Sequence, residues 1–155
     1  GLLDTSIQFL GAMSPEDVRR HMEKAGIYLF TSDRQEGWGA VLNEAMNSGC
    51  AVVAGDAAGA TPFLVQDGAN GSVYHSGDVQ ELYEKVRRLL DDPSTQREFG
   101  SAAYRTITGL WNAETAAERF LQLSQALLDG RDATKLFADG PCSPASLLRE
   151  DWYRK

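Results

Sequence analysis

Apolar residues gather in four short runs separated by longer stretches with helical spacing. Ile7 to Leu10, Ile27 to Phe30, Cys50 to Ala54 and Ser72 to Tyr74 each fit a short strand. The third run is apolar throughout and predicts a strand covered on both faces, and the second predicts a buried one. Between the first two, Ser14-Pro15-Glu16-Asp17 is a helix start. Its hydroxyl caps free amides, its proline sits where a missing donor costs nothing, and its acids lie near the positive dipole end. Val18, Met22 and Ala25 then recur at helical spacing until Gly26. Ala40, Val41, Glu44, Ala45 and Met46 predict a second helix ended by Gly49, and Pro62 to Val65 a single turn. Asp67-Gly68-Ala69-Asn70-Gly71 is turn chemistry, because Gly and Asn accept positive φ cheaply. Asp78 and Glu81 form an acidic capping box for a helix whose face is Val79, Leu82, Val86, Leu89 and Leu90, stopped by Pro93. Two further helices are predicted, about Phe99 to Ile107 and about Glu114 to Leu128. The second places Ala117, Phe120, Leu121, Ser124 and Leu128 on one side.

This alternation predicts an α/β fold, a Rossmann-like parallel sheet with flanking helices. Residues 1–129 read as one such domain. Residues 130–155, where Gly, Pro and Ser appear among Leu147, Leu148, Trp152 and Tyr153, read as a C-terminal extension that either docks or hangs loose.

Composition narrows the picture. The 155 residues, 43% of them apolar, support one ordinary core. Fifteen basic against 22 acidic side chains give a net charge of -7, which leaves no positive excess for a phosphate backbone and argues against nucleic acid as a partner. No apolar stretch approaches the roughly 20 residues of a transmembrane helix. Gly1-Leu2-Leu3-Asp4 lacks a secretory pattern, so the expected location is cytoplasmic. Cys50 and Cys142 read as free thiols. There is no Asp-x-Asp pair, and His21 and His75 lack ligand spacing, so no metal is expected and both histidines read as structural or surface residues. Arg87-Arg88 and Asp91-Asp92 read as solvated helix ends.

In open α/β sheets ligands sit beyond the carboxyl ends of strands, which directs attention to the loops after Phe30 and Ala54. The first runs from Thr31 through Glu36-Gly37-Trp38-Gly39 into Ala40, Val41 and Glu44. Gly37 and Gly39 let the backbone approach a ligand, and the amides near Gly39, Ala40 and Val41 would face outward at the positive end of the helix. Glu36 and Glu44 flank this element. Two carboxylates beside an anion site are costly unless hydroxyl groups donate to them, and a sugar or ribose diol supplies such hydroxyls. Taken singly, Glu44 also reads as a helix surface residue and Glu36 as a solvated loop residue. Trp38 reads as a wall of the sugar site or as loop packing, and Trp111 as a packing anchor.

The segment Glu36 to Glu44, two glutamates separated by seven residues with Gly-aromatic-Gly after the first, resembles the signature of family 4 (group 1) glycosyltransferases. The flanks agree: Phe9-Leu10-Gly11 with Ser14-Pro15-Glu16, Asn43-Glu44-Ala45-Met46 with Gly49 and Val52-Val53-Ala54, then Gly59-Ala60-Thr61-Pro62, Asp67-Gly68 and Asn70-Gly71. The resemblance covers about Ile7 to Leu128. It implies the C-terminal, donor-binding half of a GT-B fold, in which two Rossmann-like domains face a cleft. It further implies retaining transfer of a sugar from a nucleotide diphosphate sugar to a glycan, glycolipid or small acceptor, with no metal and no cofactor beyond that donor. By the same resemblance Glu36 is the catalytic-site residue that contacts the donor sugar hydroxyls. The Gly37, Trp38 and Gly39 backbone lies beside that sugar and the first pyrophosphate oxygens. Ala40 and Val41 amides cradle the diphosphate, and Glu44 holds the ribose. In a parent protein the location implied is cytoplasmic, peripheral to the inner membrane face.

Departures from the family pattern shape the remaining expectations. The N-terminal acceptor domain and two strands ahead of Ile7 are absent from this chain, so it reads as a fragment whose natural partner is that domain. The usual basic pair for the pyrophosphate lies in the absent part and Arg34 is the one nearby cation, so donor affinity should be weak and transfer by the chain alone is not expected. Phe63 stands where relatives commonly carry Glu. In a sheet of order 3-2-1-4-5-6 the absent strands would leave a hole between Ile7 and Ile27. That hole is expected to close by a repositioned first strand, by self-association, or by packing of the edge. The alternative reading is a non-catalytic binding or interaction module that kept the fold. A dinucleotide-binding oxidoreductase rests on Gly37-Trp38-Gly39 alone and lacks the third glycine and the later acid. Convergence of Glu36, Glu44 and the Gly37 to Val41 amides on one pocket would favour a donor site.

Overall fold

A computed structural model describes residues 6–145. In chain order its elements are α1 (Pro15–Lys24), β1 (Ile27–Phe30), α2 (Ala40–Asn47), β2 (Ala51–Gly55), α3 (Thr61–Leu64), β3 (Ser72–Tyr74), α4 (Val79–Asp91), α5 (Pro93–Gly109) and α6 (Ala113–Leu128). The strands form one parallel sheet of order β1-β2-β3. Ile27 aligns with Ala51 at the start of the first pairing, and Gly55 with Tyr74 at the end of the second.

β2 explains why the sheet holds two cores. All five of its residues are buried, and the period of two sends alternate side chains to opposite faces. Val52 and Ala54 join Met22, Phe30, Leu42, Met46, Leu64 and Ile107 on one side, while Ala51 and Val53 join Tyr74, Leu89 and Phe99 on the other. α5 contributes to both clusters. Its Gly100 lies so close to the end of α2 that an added Cβ would meet the Gly49 carbonyl oxygen.

Helix starts follow their caps. Ser14 Oγ accepts from the Asp17 amide, Asp78 from Glu81, and Asn112 from Thr115. The box at α4 is only half formed, because the Glu81 carboxylate accepts from the His75 amide instead of closing back on Asp78. Pro93 both stops α4 and opens α5, which therefore begins six residues before the predicted Phe99. Asp92 caps α5 by accepting from the Ser94 and Thr95 amides and hydroxyls. Those four donors hold its carboxyl below the usual carboxylate range, the two side chains first.

Several expectations are corrected. Ile7 to Leu10 is not a strand; the segment lies outside the sheet with Phe9 83% exposed. A four-residue run without neighbouring strands has no ladder for its amides, so water takes them. The sheet of the described residues is unbroken because it begins at β1, and the expected hole does not arise. β1 itself is an edge, with Ile27 and Tyr28 half-buried, Leu29 exposed and only Phe30 buried. In α4 the stripe Leu82, Val86 and Leu89 carries the packing, while Val79 and Leu90 face outward. In α6 the inward positions are Ala116, Arg119, Leu123 and Ala126, and Phe120, Leu121 and Leu128 are exposed. Periodicity marks an apolar face but does not say which element covers it. Finally, Asn70 does not adopt positive φ. It is buried, and its side chain accepts from the Gln66 amide and donates to the Leu64 carbonyl and to Thr106 Oγ1, tying the turn to α5.

Beyond α6 the chain folds back. Arg119 lies over the Phe137 ring at 4.7 Å and donates to the Asp139 and Pro141 carbonyls. Leu147, Leu148, Trp152 and Tyr153 lie outside the described residues, as does the start at Gly1-Leu2-Leu3-Asp4. Cys50 and Cys142 are both free thiols, as expected.

Candidate functional site

The loop after β1 emerges at the carboxyl edge of the sheet, where open α/β folds bind ligands. Asp33 shapes its first half, accepting from the Gln35 amide through its side chain and from the Glu36 amide through its carbonyl. Gly39 ends the loop with φ +85°, and a Cβ there would collide with the Phe30 ring at 2.4 Å. Glycine is therefore required twice, once for backbone handedness and once for space. Gly39 is also the N-cap of α2, so no side chain caps that helix; the Leu42 amide turns back to the Gly39 carbonyl, and the Ala40 and Val41 amides are left for another acceptor.

The loop is fixed from behind by the turn after β2. Gly59 abuts the Gly37 carbonyl, and the Ala60 amide donates to the Trp38 carbonyl at 2.8 Å. Trp38 Nε1 donates to Asn43 Oδ1 at 2.9 Å. The indole stacks on Phe63 with centroids 5.7 Å apart and leans on Trp111 at 5.9 Å. Trp38 thus packs the loop through its N–H and part of its ring, and 39% of the residue remains exposed. Phe63 supplies the stacking partner, and Trp111 is the anchor behind them.

The two carboxylates do not share one cavity. Half-buried Glu36 borders a shallow cavity of about 430 Å³ with Thr31, Ser32, Asp33 and Gln35. Exposed Glu44 borders another of about 510 Å³, whose wall includes Met13, Pro15, Glu16, Val18 and Arg19 of the α1 region, Asn47 of α2 and its C-cap Ser48. Its charge reaches the edge strand: burial pushes the Tyr28 phenol up, and Glu44 adds to that shift. Gly37, Trp38, Gly39, Ala40 and Val41 connect the two cavities along the chain. The expected convergence on one pocket is therefore not found: each glutamate borders its own cavity, and neither cavity is lined by residues 37–41. Arg34 lies exposed on the same loop.

Sequence reasoning missed the α1 wall, because nothing in the spacing of Met13 to Arg19 says that α1 packs beside α2; buried Met22 and half-buried Val18, packed on the shared core, bring them together. It also missed a polar cluster at the ends of β2 and β3. Asp56 Oδ2 lies 2.8 Å from His75 Nδ1, and Asp56 Oδ1 accepts from the Ser76 amide at 2.9 Å. Burial alone would raise the Asp56 carboxyl, but the Ser76 amide, the His75 ring and the Ser76 hydroxyl outweigh it and leave it below its ordinary value. The available signal was positional: both Asp56 and His75 directly follow strands at the ligand-binding edge. Among the described residues no group of three His, Cys, Asp or Glu side chains could hold a metal ion, and no helix is long and apolar enough to cross a membrane.

Comparison with known proteins places the chain among relatives of one family. The family model described as "Glycosyl transferases group 1" matches residues 2–106. Sulfoquinovosyl transferase SQD2 of Arabidopsis thaliana is 31% identical over 122 residues, covering 77% of this chain and 24% of that protein. Among solved structures, sucrose-phosphate synthase from Thermosynechococcus elongatus superposes with a TM-score of 0.67 at 27% identity, over 79% of this chain and 30% of its own. Anabaena HepE in complex with UDP and glucose gives a TM-score of 0.66 at 27% identity, over 82% of this chain and 33% of its own. The chain thus spans about a quarter to a third of the length of these relatives.

Proposed function

The chain belongs to the group 1 glycosyl transferases and has the α/β architecture of their GT-B structures, and on that premise we propose that it is the donor-binding half of a retaining, metal-independent enzyme. The observation that carries this reading is the cavity bordered by Glu44 beside a helix whose first turn has no side-chain cap. A nucleoside diphosphate sugar fits that arrangement group by group. Its ribose diol donates two hydrogen bonds to the Glu44 carboxylate, with the base in the cavity against Met13 and Pro15. Its diphosphate accepts from the Ala40 and Val41 amides at the positive end of α2, which stabilises the negative charge that grows on the leaving group during transfer. Its sugar lies over Gly37, Trp38 and Gly39 with hydroxyls donating to Glu36. The structure of HepE with UDP and glucose supports the class of ligand.

Turnover needs an acceptor oxygen held at the anomeric carbon, and the donor half alone supplies only one side of that geometry. The parent enzyme would act on a glycan, glycolipid or small acceptor bound by the N-terminal domain, at the cytoplasmic side of a membrane or in the cytoplasm.

Calorimetric titration of the 155-residue chain with UDP-glucose and GDP-mannose tests the proposal. One of the two is expected to bind saturably at one site, more tightly than the matching nucleoside monophosphate, because only the diphosphate reaches the α2 amides. Absence of saturable binding by both donors, or equal affinity for mono- and diphosphate, would contradict it.

A further inference from the structure

The cluster at the ends of β2 and β3 does more than satisfy its own polar groups. His75 Nδ1 and the Ser76 amide both engage the Asp56 carboxylate, at 2.8 and 2.9 Å, and the Ala57 amide donates to Ser76 Oγ at 3.0 Å. The His75 amide is held in turn by Glu81 of α4 at 2.8 Å. Since a carboxylate only accepts, the His75 ring must carry its proton on Nδ1 toward Asp56. From this staple the chain runs through buried Ala57 and Ala58 to Gly59, which is pressed on the Gly37 carbonyl, and to Ala60, whose amide holds the Trp38 carbonyl at 2.8 Å. The turn after β2 is therefore tied to β3 at one end and to the glycine loop at the other, with buried backbone between.

We infer that Asp56 and His75 are positioning residues for the donor loop: through the Ala57–Ala60 turn they set where Gly37 and Trp38 stand relative to a bound nucleoside diphosphate sugar. This rests on the donor-site reading of Glu36 to Glu44. Neither residue touches the ligand. Their effect is to keep the loop in one place, because binding groups displaced by even a fraction of an ångström lose their hydrogen bonds while the fold survives.

The test uses the ¹⁵N-labelled 155-residue chain with His75→Ala and His75→Asn, read first without ligand and then against UDP. Asparagine places an amide N–H where the ring Nδ1–H stood, so it restores the bond to Asp56 without an imidazole. His75→Ala is expected to shift the backbone amide signals of Gly59, Gly37 and Trp38 in the free chain. It is also expected to weaken UDP binding about three- to tenfold, the loss of part of one charge-assisted hydrogen bond transmitted to the loop. His75→Asn is expected to return most of both. Unchanged Gly37 and Trp38 signals in His75→Ala overturn the inference, as does an asparagine variant as weak as alanine. If the wild-type chain takes up no nucleotide, the donor reading falls, while the ligand-free signals still decide whether His75 governs the loop. Should His75→Ala fail to fold, Ser76→Ala, which removes the hydroxyl that accepts from the Ala57 amide and that also acts on Asp56, is judged by the same signals.

Discussion

Gly59→Ala is expected to destabilise the chain by about 3 kcal/mol and to abolish nucleotide binding. An ideal Cβ at this position falls 1.8 Å from the Gly37 carbonyl oxygen, 2.8 Å from its carbon and 3.4 Å from the Glu36 carbonyl oxygen. All three are backbone atoms, so no rotamer change relieves the clash, and the effect belongs at the upper end of the roughly 1–3 kcal/mol typical of overpacking. Relief requires the loop after β1 to separate from the turn after β2, which breaks the Ala60 to Trp38 hydrogen bond and moves the glycines away from the start of α2. The urea midpoint and a UDP titration read the two effects separately. Gly109→Ala is the control: nothing lies within 4 Å of its added Cβ, and alanine is the better helix former. A Gly59→Ala midpoint as high as that of Gly109→Ala would show that the two loops do not depend on each other.

Glu44→Ala is expected to weaken UDP binding about tenfold or more and to leave the melting temperature nearly unchanged. Hydrogen bonds to a charged group are worth about 1.5–3 kcal/mol, and about 1.4 kcal/mol is already a factor of ten in affinity. Stability should hold because Glu44 is exposed on α2, whose packing comes from Leu42, Ala45 and Met46. Glu44→Gln, which keeps an acceptor but no charge, should fall between. A 2′-deoxy nucleotide should lose affinity against the wild type but not against Glu44→Ala, since the partner of that hydroxyl has already gone. Equal affinities for UDP in wild type and Glu44→Ala would remove the carboxylate from the site.

How much of this was legible in the sequence depends on the range of the forces involved. Helix starts at Ser14 and Asp78 were readable because a cap is a bond within three or four residues, and Cys50 to Ala54 was readable as a doubly covered strand because burial on both faces leaves no polar position. The placement of Glu36 to Glu44 between a strand end and a helix start was equally local. Ile7 to Leu10 misled because a strand exists only with a partner, and composition says nothing about whether one is present. Phe120, Leu121 and Leu128 form a periodic stripe that no described element covers. The association of Glu44 with Met13, Pro15 and Arg19, the stacking of Phe63 on Trp38 and the Asp56–His75 pair all join residues 19 or more positions apart. Such contacts are decided by how helices pack on the sheet, and single-sequence spacing carries no record of that.

Mapping backbone amide signals of the 155-residue chain during addition of UDP and of GDP is the most direct measurement of where, and whether, a donor binds. Saturable changes are expected with one of them in two separated stretches, Met13 to Arg19 and Glu36 to Glu44, with Ala40 and Val41 among the largest because their amides meet the diphosphate. Changes confined to the surface of α5 around Arg97 and Arg105, or no saturable change with either nucleotide, would contradict it.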